Sequence, residues 1–336
     1  MNTKTILVYS VLGLSANAAF APENSGELRS ALSKCVKQSP TGACPLFEAS
    51  DDGTGKPYGP VSAWDISKVT SLSGIFASFS SGSYGDAPMN NFNQDLTKWD
   101  TSSVTNMQSM FAVCKDAVSL QYQFACTTRK KSHFFEGQTD VSQWDTSSVT
   151  NMRAIFAGRD NFDTDEVTGG LASWDTSSVT MFLNAFAYTK GFAADISKWD
   201  TSSATNINRM FRRAEKFNVD ISKWDTSKVT TFQKVFQDAE SFDIDVSSWD
   251  VSSSEKSESF QEVFQGAKSF SFKCKVAEAW KVLHPTSANT FDGCCVDAPV
   301  DAPVCPSSAA SEAGHSYAHV SWLSGIAMVL LTIVLQ

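Results

Sequence analysis

The stretch FRRAEKFNVDISKWDTSKVT, residues 211–230, carries every recurring element of a repeat, and its reading decides the fold. Its Trp-Asp pair at Trp224 recurs at Trp64, Trp99, Trp144, Trp174, Trp199 and Trp249, with intervals of 35, 45, 30, 25, 25 and 25 residues along the chain. The unit is therefore 25 residues, with extra residues in the early intervals. All of these extras fall between the Phe after one Trp-Asp and the next Trp, so one face of the array accepts insertions. A fixed period with one insertion point is the signature of a solenoid.

Within a unit, Val104, Met107, Phe111 and Cys114 are spaced three, four and three apart. That spacing predicts one face of a short helical segment. Asp100, Thr101, Ser102 and Ser103 stand ahead of it as caps. The segment Phe217 to Trp224 lacks that period and carries β-branched residues, so a short strand is expected around Asp220, Ile221 and Ser222. The expected fold class is an α/β repeat solenoid of about seven 25-residue coils, each with one short strand and one short helical segment, roughly 35 Å long at sheet spacing. Open ends of such an array need covers. Leu28, Leu32 and Cys35 form one helical face for the first, and Val276 to Val282 around Trp280 supply the second.

Composition fits a stacked core. Phe occurs 24 times against 16 Leu, and 21 of the Phe lie within residues 58–272. A unit this small cannot bury its aromatic rings alone, so neighbours must stack. The 42% hydrophobic content excludes a wholly disordered chain. A net charge of −9 argues against a nucleic-acid partner, which would call for clustered Lys and Arg.

The ends give an address. Residues 1–18 read as a secretory signal peptide: Lys4, an apolar run from Ile6 to Leu14, and the small residues Ala16 and Ala18. Residues 19–57 form an N-terminal cap, 58–272 the repeats, 273–295 a C-terminal cap and 296–310 a Pro-containing stalk. Residues 311–336 then read as the signal for a glycolipid (GPI) anchor, removed on attachment at Ser308, Ala309 or Ala310. A single transmembrane helix is the competing reading of the same tail. The apolar segment Trp322 to Leu335 is short for one and has no basic residues after it. The expected location is the extracellular face of the plasma membrane.

That compartment is oxidising, so the eight cysteines are read as disulfide formers. Local pairs suggest themselves, Cys35 with Cys44, Cys114 with Cys126, and Cys274, Cys294, Cys295 and Cys305 among themselves, but the sequence leaves the connectivity open. A zinc reading of Cys274, His284, Cys294 and Cys295 lacks any tight ligand spacing.

The stretches Trp99 to Phe111 and Phe217 to Phe236, with Tyr58 to Asp65 as an entry, resemble the repeats of BspA-like surface proteins. These repeats are also described as a mycoplasma-lipoprotein domain of unknown function and are grouped with leucine-rich repeats. The family pattern runs Trp-Asp-Thr-Ser-x-Val-Thr-x-Met-x-x-Met-Phe. The register departs from it over Ser253 to Ser259. The resemblance implies a leucine-rich-repeat-like solenoid with Phe, Met and Trp in place of Leu. It also implies exposure on a cell surface and adhesion to host or matrix proteins.

Chemistry is sparse. Two rows of aspartates recur: Asp95, Asp195, Asp220 and Asp245, and Asp65, Asp100, Asp145, Asp175, Asp200, Asp225 and Asp250. They read either as a calcium ladder or as carboxylates that each close their own turn; the Ser and Thr beside them favour the second. No GxSxG, HExxH, P-loop or GxGxxG context occurs, so no catalytic residue, cofactor or metal is expected. The insertion from Cys114 to His133, locally basic at Arg129, Lys130 and Lys131, is the candidate recognition element, and a tolerated surface loop is its plainer reading. The expected function is a non-catalytic adhesion or recognition module, GPI-anchored, binding an extracellular protein or glycan through the repeat surface. A self-associating coat or wall component is the alternative.

Overall fold

The computed structural model describes residues 20–79, 92–114, 141–159, 170–254 and 257–280. All of these fall in one of two compact units, Met1–Val296. The first element is helix α1, Ser25–Gln38. Asn24 opens it, its side-chain oxygen accepting from the amides of Gly26 and Glu27 at 2.9 and 3.1 Å. The helix buries Leu28, Ala31, Leu32, Cys35 and Val36, the face its sequence spacing predicts. Helix α2, Pro45–Glu48, begins directly after Cys44, which is disulfide-bonded to Cys35.

The repeats themselves overturn the expected α/β coil. Asp220 and Ile221 are irregular and Ser222 begins a turn, so the strand expected there is absent. The segment expected to be helical, Val104 to Cys114, consists of turns ending in a two-residue strand. Among the described residues the strands are β1, Ser78–Phe79, and β2, Val113–Cys114, paired parallel, and the remaining sheet contacts are isolated bridges.

The reason lies in the backbone. The tenth residue after the Trp is left-handed in each of the first six repeats: Gly74, Ser109, Ala154, Asn184, Arg209 and Lys234, with φ of 52–59°. Glu262 takes the same role in the last repeat, at φ 55°. A right-handed helix cannot pass through such a residue, and outside Gly the conformation costs roughly 1–2 kcal/mol. The return is a ladder between coils. The amides of Phe182, Asn184, Phe186 and Tyr188 donate to the carbonyls of Asn206, Asn208, Met210 and Arg212 at 2.6–2.9 Å. The amides between them close tight turns within the coil, Ala185 to Phe182 and Ala187 to Asn184. Every second N–H thus points toward the following coil and every second C=O toward the preceding one.

Two side-chain ladders reinforce the stack. Thr105, Thr150, Thr180, Thr205 and Thr230 each donate an amide and a hydroxyl to the carbonyl of the corresponding Thr in the coil before. Thr101, Thr146, Thr176, Thr201 and Thr226 are buried and donate forward to the carbonyl of the next coil's Asp. The recurring Thr residues are therefore chosen for their hydroxyls, which satisfy backbone oxygens the turns leave over.

The core is a set of aromatic columns. Phe76, Phe111, Phe156, Phe186, Phe211, Phe236 and Phe264 stack in sequence with centroids 5.4–5.8 Å apart. A second column, Phe192, Phe217, Phe242 and Phe270, lies 3.8–4.1 Å from the first within each coil. From Trp99 onward each repeat Trp indole donates to a main-chain carbonyl of the coil before it, as from Trp199 to Leu171 at 2.8 Å and from Trp224 to Ile196 at 3.3 Å, while Trp64 donates to Gly59 just ahead of it. Parallel rings at these distances are offset stacks, worth about 0.5–1.5 kcal/mol per pair beyond area burial.

Both ends are closed. The first coil presents backward-facing carbonyls at Ser71 and Ser73, and α1 supplies their donors, the Ser25 hydroxyl and the Arg29 guanidinium. At the other end, helix α3, Lys273–Trp280, lays Trp280 over Trp249.

Candidate recognition site

Both aspartate rows are spent on the fold. Asp65, Asp100, Asp145, Asp175, Asp200, Asp225 and Asp250 each accept the amide of the Ser two residues on, at 2.9–3.1 Å. Asp95, Asp195, Asp220 and Asp245 do the same toward Thr97, Ser197, Ser222 and Ser247 at 2.9–3.0 Å. The Ser hydroxyl and amide hold the carboxyls of Asp145, Asp175, Asp195, Asp220 and Asp225 below the ordinary value. Among the described residues no group of three or more His, Cys, Asp or Glu is arranged to hold a metal ion.

Of the residues singled out by sequence, Cys35 and Cys44 form the expected bond. Cys274 is also disulfide-bonded. The side chain of Cys114 and all of Cys126, Cys294, Cys295 and Cys305 lie outside the described residues, as do Ser308, Ala309 and Ala310. The insertion 115–133 lies outside them too. No helix among the described residues is long and apolar enough to cross a membrane.

The ladder that joins the coils carries a row of half-buried polar side chains: Asn106 and Gln108, Asn151 and Arg153, Asn206 and Asn208, Thr231 and Gln233. Within a coil, the Asn oxygen accepts the amide two residues on, as Asn206 does from Asn208 at 3.0 Å. Between coils, Thr231 donates to the Asn208 oxygen at 2.8 Å and Gln233 to Gln261 at 2.7 Å. Coils two, three, five and six thus carry polar pairs over the aromatic core, and the fourth coil interrupts them with the half-buried Met181 and Leu183.

In the fifth coil the neighbouring positions change character. The tenth residue after Trp runs Gly74, Ser109, Ala154, Asn184 and then Arg209; the thirteenth runs Ala77, Ala112, Ala157, Ala187 and then Arg212. Ser109, Ala154 and Asn184 are buried, whereas Arg209 and Arg212 are half-buried and Arg213 is exposed. The guanidiniums of Arg212 and Arg213 lie over the ring of Tyr188, 5.2 and 5.6 Å from its centroid. Arg213 is ion-paired with Asp238 at 3.2 Å, and Lys234 with Glu262 at 3.2 Å. Among the described residues no carboxylate pairs with Arg209 or Arg212, and the Nε of Arg212 is buried without an acceptor. Burial, and then the adjacent Arg212 charge, push the Arg209 guanidinium below its ordinary value. The Glu262 charge, itself ion-paired with Lys234, offsets that push only in part. Two adjacent forked cations without an ion-pair partner among the described residues are an anion-binding arrangement. Sequence reasoning passed over this group; comparing the repeats position by position, where charge replaces a run of Ala, would have exposed it.

Comparison with known families gives a match to the model described as "Mycoplasma protein of unknown function, DUF285", over residues 54–128, 118–169 and 162–280. No curated protein and no solved structure matches the chain.

Proposed function

We propose a non-catalytic surface-recognition role for this chain, which belongs to the family described as "Mycoplasma protein of unknown function, DUF285". Within that family we read it as BspA-like: a secreted, GPI-anchored adhesion module on the extracellular face of the plasma membrane, binding a protein or glycan partner. The observation that carries the reading is the recurrence of polar pairs on the ladder, at Asn106 and Gln108, Asn151 and Arg153, Asn206 and Asn208, and Thr231 and Gln233. Among the described residues the recurring aromatic side chains are used in the core and the recurring aspartates in turns, so what these coils leave for a partner is chiefly amides, hydroxyls and arginines. A surface repeated from coil to coil on such a scaffold suits an extended partner.

The test is to display the full chain on cells that lack it and to measure attachment to surfaces coated with matrix protein or glycan. Attachment above that of control cells is expected, together with release of the chain by phosphatidylinositol-specific phospholipase. Attachment no better than controls overturns recognition. Clumping of the displaying cells with each other identifies a self-associating coat instead. A chain retained on membranes, while a known GPI-anchored control is released, overturns the anchor.

A further inference from the structure

We propose that Arg209, Arg212 and Gln237 form a binding site for an acidic sugar, one bearing a carboxylate or sulfate beside its hydroxyls; the proposal rests on the recognition reading above and names its ligand. The cations come first. Two guanidiniums without carboxylate partners among the described residues sit on a chain of net charge −9. Their acidic neighbours are already engaged: Asp238 with Arg213, and Glu262 with Lys234. Tyr188 braces the group from below, so the fork of Arg212 is held in place before a ligand arrives.

The choice of ligand class rests on Gln237. It occupies in the sixth coil the position Arg212 holds in the fifth, and the two coils are joined there by the Arg213 amide donating to the Gln237 carbonyl at 2.7 Å. Gln237 is only 6% exposed, and its side-chain nitrogen donates to Glu262 and to Gln265. Those two acceptors fix the amide's orientation, and its Oε1 is buried without a donor. A ligand that satisfies both features must bring an anionic group together with a hydrogen-bond donor. A uronic acid carries a hydroxyl on C4, one carbon beyond the carbon that bears its carboxylate, and a sulfated sugar carries hydroxyls on the carbons flanking its ester. An Asp or Glu side chain offers only methylene groups there. The amides of Asn208 and Gln233 on the same ladder extend the surface for further hydroxyls.

The test is titration of the purified full chain with four probes: a glucuronate-terminated disaccharide, a sulfated disaccharide, their neutral parent and a polyglutamate peptide. Binding of one or both acidic sugars is expected, and which of them binds identifies the anionic group. Arg209→Gln and Arg212→Gln should each weaken that binding roughly tenfold or more, the worth of a charge-assisted hydrogen bond. Arg212→Lys keeps the charge without the fork and should fall between, while Lys68→Gln, in the first coil and paired with Glu23, leaves binding unchanged. Variants are compared only where their melting temperatures match the parent, and Gln237→Leu provides a second, uncharged probe of the acceptor. Equal binding of the neutral parent, polyglutamate binding as tight as the sugars, or unaltered binding in both arginine variants overturns the site. If no probe binds while displayed cells still attach, the site fails and the recognition reading stands. If the sugars bind but displayed cells do not attach, the recognition reading fails instead.

Discussion

Trp280 stacks on Trp249 with centroids 6.3 Å apart and planes 11° from parallel, and its indole donates to the Val246 carbonyl at 3.2 Å. Trp249 donates to Ile221 in the same way at 3.1 Å. Helix α3 thus supplies the Trp that an eighth repeat would have supplied, and the last coil is closed by imitation of its own successor. Trp280 also meets Phe232, Phe260 and Phe264 at 5.5–6.0 Å. Trp280→Ala opens the aromatic columns and should cost about 3–5 kcal/mol. Trp280→Phe keeps a ring in the stack but orphans the Val246 carbonyl, and should cost less. Urea midpoints check the order; equal losses would show that the indole bond, not the ring, holds the end.

At the opposite end α1 acts through polar groups. Ser25 and Arg29 donate to the carbonyls of Ser71 and Ser73, the first rungs of the ladder. Arg29→Met keeps the stem and removes the donor, leaving a carbonyl to find water, at a cost of about 1–3 kcal/mol. Adding Ser25→Ala should lower stability further. Chemical denaturation of the two variants decides this; wild-type midpoints in both would mean that water replaces the caps.

The repeat length and the α1 face were legible because each rests on spacing alone, and the Cys35–Cys44 bond was suggested by the nearness of the two residues, with its connectivity left to the structure. The strand and helix were misread for a physical reason. Val104, Met107 and Phe111 have helical spacing, but successive turns with a left-handed residue between them put the same positions inward. Glycine would announce a left-handed residue; Arg209, Lys234 and Glu262 do not. Their conformation is imposed by the ladder between coils, a long-range constraint that local propensity does not encode. The arginine group was hidden likewise, since Arg212 stands out only against Ala187 and Ala157 of other coils.

The Cys35–Cys44 bond spans nine residues and ties α1 to the start of α2. Closing a loop that short should contribute roughly 2–3 kcal/mol through the unfolded chain. Cys35→Ala with Cys44→Ala should lower the melting temperature accordingly. Because Cys35 lies on the buried face of α1, the loss should appear first as faster amide exchange in that helix. Uniform exchange across the repeats would instead show that cap and stack unfold as one.

The aspartate turns give the stack an acid limit. Asp145, Asp175, Asp195, Asp220 and Asp225 are held below the ordinary 3.8 chiefly by hydrogen bonds from their own Ser hydroxyls and amides. A carboxyl with a lowered folded value binds its proton less readily folded than unfolded. Its stabilisation is therefore complete above 3.8 and drains away as pH falls through the folded value. Repulsion works in the same rows: the Asp145 charge raises Asp175, but by less than Ser177 lowers it. The melting temperature should hold level from neutral pH to about pH 5 and fall below about pH 4. Asp175→Asn, Asp220→Asn and Asp225→Asn together keep an acceptor for each turn amide but remove the titration, so the triple variant should show a shallower acid limb. An acid limb as steep as that of the parent would place the acid sensitivity in carboxylates outside these turns.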